Sequence, residues 1–310
     1  MELTVADVKY NFTPREGDFL PRIDYFCTNC HKPFGKETIA FKQANTKICI
    51  ANLTKEVKQY LFNVHGPLIE TNSQQCDKVL EIYTAEIDSF LKFPTDSYEY
   101  RRFILDQDQN YIYFWTYHLA GYIDKSTWKA CAFLCNEQTQ KSAFLINELI
   151  LGYFAWWSIF HGGLMMHGAS IVRDQKAYIF FGPSGAGKTT ISRLSEHLKI
   201  ISDEYSMISK INSSYFVFRP PQKKSITRLD NWQEGFPLAG IYRLIQSNER
   251  FIEKIPKALM ISEILANLLF AHAYNVLGLH AVANAAAILG TTENGMLHFK
   301  KDQFFWEVIP

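Results

Sequence analysis

The most restrictive feature of this chain is the segment 182–189, which reads GPSGAGKT directly after the apolar run 177–181. It satisfies the pattern G-x-x-x-x-G-K-[ST], in which a buried strand leads through a glycine-rich turn into a helix. Glycine tolerates the backbone angles that such a sharp turn requires. A chance match seldom lies between a buried strand and a helix as well. The spacing therefore predicts a strand–loop–helix unit within an α/β or α+β fold.

The composition predicts a globular protein with a sizeable core. Of the 310 residues, 47% are hydrophobic and 20% are charged, which is too little charge for a disordered chain. We expect two domains, because domains usually contain about 100–200 residues. Thirty-two Lys and Arg against 31 Asp and Glu leave no global field to attract nucleic acid or an anionic membrane. We expect neither as a partner, and a homo-oligomer stays open.

No targeting or membrane segment is predicted. The N-terminus lacks a basic region followed by an unbroken apolar run, so it does not resemble a secretory signal. Asn147 and Glu148 interrupt the longest apolar segment, 143–160, and its purely apolar part is too short to cross a bilayer. We expect a buried helix there and a cytoplasmic protein.

The cysteines fit free thiols in a reducing compartment, since no secretion signal accompanies them. Cys27, Cys30 and His31 form C-x-x-C-H, a string found at haem attachment sites and in halves of zinc sites. Haem attachment of that kind requires export. A zinc site requires a second ligand pair, which Cys49 and His65 do not form. Free thiols are therefore favoured over both. The six cysteines are Cys27, Cys30, Cys49, Cys76, Cys131 and Cys135.

The first 138 residues predict an N-terminal, mainly antiparallel β domain. Short apolar runs rich in Tyr, Phe and Ile alternate with polar breaks, as is typical of strands. These runs lie at 46–53, 79–87 and 98–105. The polar cluster DQDQN between Leu105 and Tyr111 predicts a hairpin over 98–122. The aromatic side chains fit either the core of a sheet or a surface that recognises a peptide substrate.

Residues 139–310 predict a second domain that contains the glycine-rich loop. Over 141–160 apolar residues recur at spacings of three and four, which predicts a helix that ends at Gly162 or Gly163. The other predicted elements are strands at 164–172 and 177–181 joined by a polar turn, helices within 257–289, and a closing strand pair at 296–309.

The loop motif predicts binding of a nucleotide, ATP, together with Mg²⁺. Successive N–H groups of such a loop point inward at phosphate oxygens, and the following helix presents its positive dipole end. Lys188 would reach the outer phosphates, while the hydroxyl of Thr189 would bind Mg²⁺. The residues expected to hold the nucleotide are Gly182, Pro183, Ser184, Gly185, Ala186, Gly187, Lys188, Thr189 and Thr190.

Two further groups are candidates for catalysis. Ile200 and Ile201 lead into Asp203 and Glu204, which reads as a strand that ends in acid soon after a short helix. One carboxylate could hold Mg²⁺ and the other could accept a proton from an attacking hydroxyl, although an ordinary strand-end turn has the same composition. His167 lies on the strand expected to pair with the strand before the loop. From spacing alone, a structural role for this histidine is favoured.

His167, the loop 182–189 and the turn 202–204 together resemble the HPr kinase family, whose fold is related to the nucleotide domain of phosphoenolpyruvate carboxykinase. The similarity covers about residues 163–209. It implies a P-loop kinase domain in which His167 and Asp203 serve catalysis, with Asp203 as the base on a protein serine. It also implies that Glu204 helps to bind the metal, where the family usually has Asp.

The chain lacks the glycine-rich signature that true HPr kinase/phosphorylases carry downstream of the acids. It is more similar to the HPr kinase-like proteins that accompany peptide-modification pathways, some of which phosphorylate a serine on a precursor peptide. The resemblance thus implies a peptide or protein substrate that carries a serine.

A basic segment at 218–228 adds one more candidate. Its cationic side chains could stabilise the transferring phosphoryl group or could simply be solvated. Arg219 is the first choice because it directly follows the apolar run 215–218. Two other functions stay open: a P-loop ATPase or nucleotide sensor without a phosphorylated acceptor, and a carboxykinase. For a carboxykinase the chain is short and lacks a second basic cluster.

Overall fold

The structure, a computed structural model, describes residues 32–43, 46–70, 76–85, 103–116, 119–135, 139–222, 226–269 and 274–310. The chain divides into two compact units, and the division falls inside one helix, between Leu149 and Ile150. Within the described ranges the protein is a mixed α and β fold with two sheets of eight strands each.

The first sheet has the strand order β3-β1-β2-β4-β8-β7-β6-β5. Its strands and one connecting helix are β1 (Glu37–Gln43), β2 (Thr46–Leu53), α1 (Lys55–His65), β3 (Ile69–Glu70), β4 (Lys78–Ala85), β5 (Ile104–Gln107), β6 (Tyr111–Thr116), β7 (Leu119–Asp124) and β8 (Ala130–Cys135). The strand predicted at 46–53 is confirmed.

The prediction of a mainly antiparallel sheet holds for most of the described pairings in this sheet, although the centre of the sheet is parallel. Strands β5 to β8 form an antiparallel meander, in which the expected polar turn joins β5 to β6 and Ile104 pairs with Trp115. In the centre, β2 pairs parallel with β4, and β4 pairs parallel with β8. Parallel neighbours require a crossover, and the connection from β2 to β4 contains α1, which the sequence patterns did not reveal.

Two of the cysteines are bonded to each other. Cys49 on β2 and Cys76 form a disulfide with their Cα atoms 5.7 Å apart. The parallel register places Cys49 opposite Val79, three residues beyond Cys76, and so brings the two sulfurs together. The prediction of free thiols is wrong for this pair. Cys27, Cys30 and His31 lie outside the described residues.

Helix α2 (Thr139–Phe160) confirms the helix predicted at 141–160. Among the described residues it is the one helix long and apolar enough to cross a bilayer, over the segment Ser142–Phe160. Since 83% of that apolar window is buried inside the protein, it is the buried helix that the sequence predicted. Gly162 follows the helix with φ +82°, a left-handed conformation that suits glycine at a helix end.

The second sheet contains the glycine-rich loop. Its elements are β9 (Leu164–Arg173), β10 (Lys176–Phe181), α3 (Lys188–Leu194), β11 (Lys199–Ser202), β12 (Tyr205–Ile211), β13 (Ser214–Phe218), β14 (Phe236–Gln246), β15 (Phe251–Glu253), α4 (Lys257–Ala266), α5 (Tyr274–Leu289) and β16 (Glu293–Phe299). The strand pair predicted at 296–309 is wrong in its second half, where Gln303–Val308 forms a 3₁₀ helix. A local contact explains the 3₁₀ helix: the carboxylate of Asp302 accepts the N–H of Phe304 and caps this turn.

The strand that precedes the loop lies between two different neighbours. β10 pairs antiparallel with β9 and parallel with β14, which in turn pairs parallel with β16. The apolar face of these strands packs against α3 and the 3₁₀ helix, with Phe180, Tyr242 and Phe299 fully buried. Burying side chains of this size contributes about 1.5–3 kcal/mol each. The loop therefore extends from a well-packed strand.

Arg173, at the end of β9, connects this strand to the 3₁₀ helix. Its guanidinium donates to the carbonyl oxygens of Trp306 at 2.9 Å and Ile309 at 3.0 Å, and it lies 4.9 Å from the Trp306 ring. Lysine would keep the charge but lose the planar fork. We expect Arg173→Lys to reduce the free energy of unfolding by about 1–3 kcal/mol, measured by urea denaturation.

The matched control is Arg193→Lys, because the Arg193 side chain is exposed. This variant should change stability by less than about 0.5 kcal/mol. Equal stabilities for the two variants would contradict the role given to Arg173.

Candidate functional site

The loop between β10 and α3 has the backbone that its glycines predict. Gly182, Gly185 and Gly187 have φ of +153°, +83° and +110°. A methyl group on Gly187 would lie 2.7 Å from Cζ of Phe299, so this position excludes larger residues by space as well as by backbone angle. Phe299 on β16 thus packs against the loop at Gly187.

Several amides of the loop are unpaired within the described part of the chain. The N–H of Ala186 donates to the carbonyl of Pro183 at 3.1 Å, while those of Ser184, Gly185 and Gly187 have no acceptor among the described residues. Residues 183–185 are exposed. Unpaired donors on an exposed glycine-rich turn provide the kind of concavity that binds an anion.

Lys188 lies against the same loop. Its Nζ donates to the carbonyl oxygens of Gly182 at 2.7 Å and Pro183 at 3.1 Å. Burial lowers the pKa of this ammonium group. A cation is therefore held within reach of any anion bound by the loop amides. Thr189 is exposed and Thr190 is half-buried on the first turn of α3.

Gln246, at the end of β14, is a loop contact that sequence reasoning missed. Its Nε2 donates to the carbonyl of Gly185 at 2.7 Å. The parallel pairing of Phe181 with Arg243 places the end of β14 beside the loop. No local motif in the sequence marks this residue, because the contact depends on the parallel register.

The turn that contains the two acids is fixed by Ser202. Its Oγ accepts the N–H groups of Glu204 and Tyr205, both at 3.2 Å, and accepts Nε2 of Gln222 at 2.5 Å. Ser202 is fully buried. A serine that accepts the amides two and three residues ahead is a recurrent turn motif, so this role was readable from Ser-Asp-Glu. Gln222 was not.

Asp203 is anchored by one oxygen. Its Oδ1 accepts the N–H of Ile226 at 2.8 Å, and Oδ2 has no donor among the described residues. The carboxylate is half-buried. One oxygen is thus held in place while the other can accept a proton or a metal ion.

Arg219 lies behind this turn and is only 2% exposed. Its Nη1 donates to the carbonyl of Ile201 at 3.2 Å, and its guanidinium lies 4.2 Å from the centre of the Trp232 ring. Burial lowers the pKa of Arg219 to about 10, and the charge of Asp203 partly opposes that shift. Arg219 is thus a buried cation whose charge interacts with the carboxylate of Asp203. Lys223 and Lys224 of the basic segment lie outside the described residues.

His167, on β9, lies between the loop and the acids. Its backbone N–H donates to the carbonyl of Asn267 at 2.7 Å. The centre of its imidazole ring is 4.3 Å from the centre of the Tyr205 ring. Burial lowers the pKa of His167, as does the charge of Lys188, while a hydrogen bond with the Glu204 carbonyl partly opposes the shift. The imidazole is therefore neutral at pH 7, and it lies close to both the loop and the acid turn.

The strand pairing explains why these residues meet. Gly168 on β9 pairs with Phe181, the last residue before the loop, and its N–H donates to the Glu204 carbonyl at 3.0 Å. On the same strand His167 pairs with Tyr205. Neighbouring strands lie about 4.8 Å apart, so the acid turn is about 10 Å across the sheet from the start of the loop. The structure thus brings together the loop, Lys188, His167 and the acid turn.

The expected metal ligands are oxygen atoms. The described residues contain no cluster of three or more His, Cys, Asp or Glu side chains arranged for a metal. Mg²⁺ bound with a nucleotide takes most of its ligands from phosphate and water, and one or two protein oxygens complete its shell. The unpaired Oδ2 of Asp203 and the exposed hydroxyl of Thr189 are donors of that kind. Glu204 supplies a further carboxylate on the same turn.

No model of a known protein family matches this chain, and a search of curated proteins finds no significant match. The assignment of function therefore depends on the motif and on the geometry of the site.

The acid turn can be tested through Ser202. In Ser202→Ala the amides of Glu204 and Tyr205 and the amide of Gln222 lose their acceptor in a buried place. We expect a loss of about 1–3 kcal/mol in the free energy of unfolding, measured by urea denaturation.

Ser209→Ala is the matched control. The Oγ of Ser209 is buried and has no hydrogen-bond partner among the described residues, so its removal should leave stability unchanged or raise it. If Ser209→Ala costs as much as Ser202→Ala, the hydrogen bonds of Ser202 do not fix the turn.

The lowered pKa of His167 predicts a pH dependence of stability. The unfolded chain, with an ordinary histidine pKa of 6.5, binds a proton more readily than the folded protein does. Stability should therefore fall as the pH drops below 6.5 towards the folded pKa. His167→Gln should lose less stability than the wild type between about pH 7 and pH 5, measured by urea unfolding at each pH. His197→Gln, at an exposed position, should follow the wild type.

Proposed function

We propose that this protein is an ATP-dependent kinase that transfers the γ-phosphoryl group to a hydroxyl, namely a serine of a peptide or protein. One observation carries the proposal. A glycine-rich loop with unpaired amides and a lysine at its mouth lies beside a histidine and a two-acid turn on the neighbouring strand. Phosphoryl transfer requires these groups together: donors for the phosphates, a cation, and an oxygen that accepts the proton of the acceptor.

The loop and Lys188 would bind the nucleotide. The amides of Ser184, Gly185 and Gly187 meet phosphate oxygens without reorganisation, because positive φ angles already orient the loop. Lys188 exchanges its two carbonyl partners for the outer phosphates. Mg²⁺, when bound, supplies positive charge to the phosphate oxygens. Thr189 and Glu204 are the residues that would hold it, so that Oδ2 of Asp203 stays available as a base.

Asp203 would act as the general base. Its Oδ1 is held by the amide of Ile226, so Oδ2 keeps a defined direction and accepts the proton of the serine hydroxyl. The guanidinium of Arg219 donates to the carbonyl of Ile201, two residues before Asp203, and its charge interacts with the Asp203 carboxylate. His167 is neutral, so it can exchange hydrogen bonds with the reacting groups without adding a charge.

The type of domain and the acceptor depend on the sequence resemblance. The order of His167, loop and acid turn along the chain is that of the HPr kinase-like proteins, and here the three lie on neighbouring strands. We infer a P-loop kinase domain of that type, a peptide or protein acceptor and a cytoplasmic location. An α and β fold with the loop at the end of a parallel-paired strand is compatible with this inference.

The test is transfer of radiolabelled γ-phosphate from ATP to a panel of serine-containing peptides. Lys188→Ala should lower the transfer at least about a hundredfold, because the cation at the outer phosphates is lost. Lys210→Ala, at an exposed position on β12, should transfer like the wild type. Urea unfolding should show both variants folded.

Three outcomes would overturn the proposal. Full transfer by Lys188→Ala would show that the loop does not take part in the reaction. Release of labelled phosphate with every peptide, and no labelled peptide, would indicate an ATPase instead. Failure of the wild type to bind ATP at all would exclude both the kinase activity and the ATPase activity.

A further inference from the structure

Two residues contact the glycine-rich loop from the side of β14 and β16, across β10 from β9 and the acid turn. Gln246, the last residue of β14, pairs with Phe299, the last residue of β16. Nε2 of Gln246 donates to the carbonyl of Gly185 at 2.7 Å. The Phe299 ring lies against Gly187, where a methyl group would be 2.7 Å from its Cζ. The segment 185–187 is therefore contacted at both ends by one pair of neighbouring strands.

The parallel register brings Gln246 level with the loop. Phe181, the last residue of β10, pairs with Arg243, and β14 continues from Arg243 to Gln246 beyond this pair. At about 3.3 Å per residue this extension is about 10 Å long, so the end of β14 lies beside the loop. The contact thus joins residues that are 61 positions apart in the sequence.

The peptide unit between Gly185 and Ala186 is held at both of its polar atoms. Its oxygen accepts Nε2 of Gln246, and its N–H, on Ala186, donates to the carbonyl of Pro183 at 3.1 Å. The amides before and after this unit, those of Gly185 and Gly187, have no acceptor among the described residues. The orientation of the unit therefore decides how these free donors are arranged.

Without the hydrogen bond to Gln246, this peptide unit can turn over. Gly185 has φ +83°, and glycine adopts positive and negative φ about equally readily. A turned unit would direct the Gly185 carbonyl oxygen, rather than an N–H group, at an anion in the loop, and charges of like sign repel. Within the described part of the chain, Gln246 is the one partner of this oxygen.

Both partners of this hydrogen bond are exposed. Water can satisfy the Gly185 carbonyl and the Gln246 amide when the contact is lost, so the contact contributes little to the stability of the fold. We therefore expect it to set the direction of the carbonyl, and its loss to weaken the binding of an anion while the protein stays folded.

We propose that Gln246 is a positioning residue of the nucleotide site, which keeps the Gly185 carbonyl directed at β14 and away from the triphosphate. The proposal rests on the proposed binding of ATP by the loop, but not on transfer to a serine. Because Gln246 acts through the loop, it affects any ligand that presents a triphosphate, whatever else the ligand carries.

The test is isothermal titration calorimetry of the full chain, with Mg²⁺, against ATP and against inorganic triphosphate. Gln246→Met keeps the length of the side chain and removes its donor. We expect the affinities for both ligands to fall by the same factor, about three- to tenfold, as for the loss of one hydrogen bond. Gln303→Met, at an exposed glutamine of the same unit, should bind both ligands like the wild type.

Hydrogen exchange without ligand reports on the peptide unit itself. In Gln246→Met the amide of Ala186 should exchange faster than in the wild type, because a turned unit breaks its bond to Pro183. Urea unfolding should give the same stability for both proteins, which separates a change in the loop from a general loss of structure.

The inference is contradicted if Gln246→Met binds both ligands as tightly as the wild type, since the loop would then keep its conformation without Gln246. A lower affinity for ATP alone would also contradict it, and would assign Gln246 a contact with the nucleoside. Both results leave the nucleotide site in place. A wild type that binds neither ligand would refute the site itself and this inference with it.

Discussion

The site depends on the backbone of one glycine. Gly168 pairs with Phe181 on one side, and on the other its N–H donates to the Glu204 carbonyl at 3.0 Å. A Cβ at this position would lie 3.0 Å from Cγ2 of Ile179, so a larger residue would require that side chain to shift by a few tenths of an ångström. Both the loop after Phe181 and the acid turn are therefore positioned by hydrogen bonds to a single strand. His167, the next residue back, is carried between them.

The parts of this site that lie close together in sequence could be predicted, and those that depend on register could not. The loop with Lys188 follows from its motif, and the polar turn after β9 places His167 on the strand beside it. From spacing alone a structural role was favoured for His167, and the family resemblance made it a candidate for catalysis. Gln222 and Gln246 contact the acid turn and the loop only because distant strands meet there. Amide side chains at such positions have no periodicity and no motif that marks them.

The same distinction holds for the fold. Helix α2 was predictable because an apolar periodicity over some 20 residues is a strong local signal. The parallel centre of the first sheet was not, because parallel pairing is a relation between separate segments, and the disulfide of Cys49 and Cys76 follows from that pairing. The 3₁₀ helix at Gln303–Val308 was read as a strand since its aromatic residues fit either structure, and the cap at Asp302 decides between them.

Arg219 shows why exposure cannot be inferred from charge alone. A basic segment with two prolines suggests a solvated loop, yet this guanidinium is 2% exposed. Burying a cation costs several kcal/mol unless it gains compensating partners. Here the Ile201 carbonyl, the Trp232 ring and the charge of Asp203 supply them. A core that required only packing would be served as well by an apolar residue. The buried arginine therefore favours a negative charge at Asp203, the residue that we propose as the base.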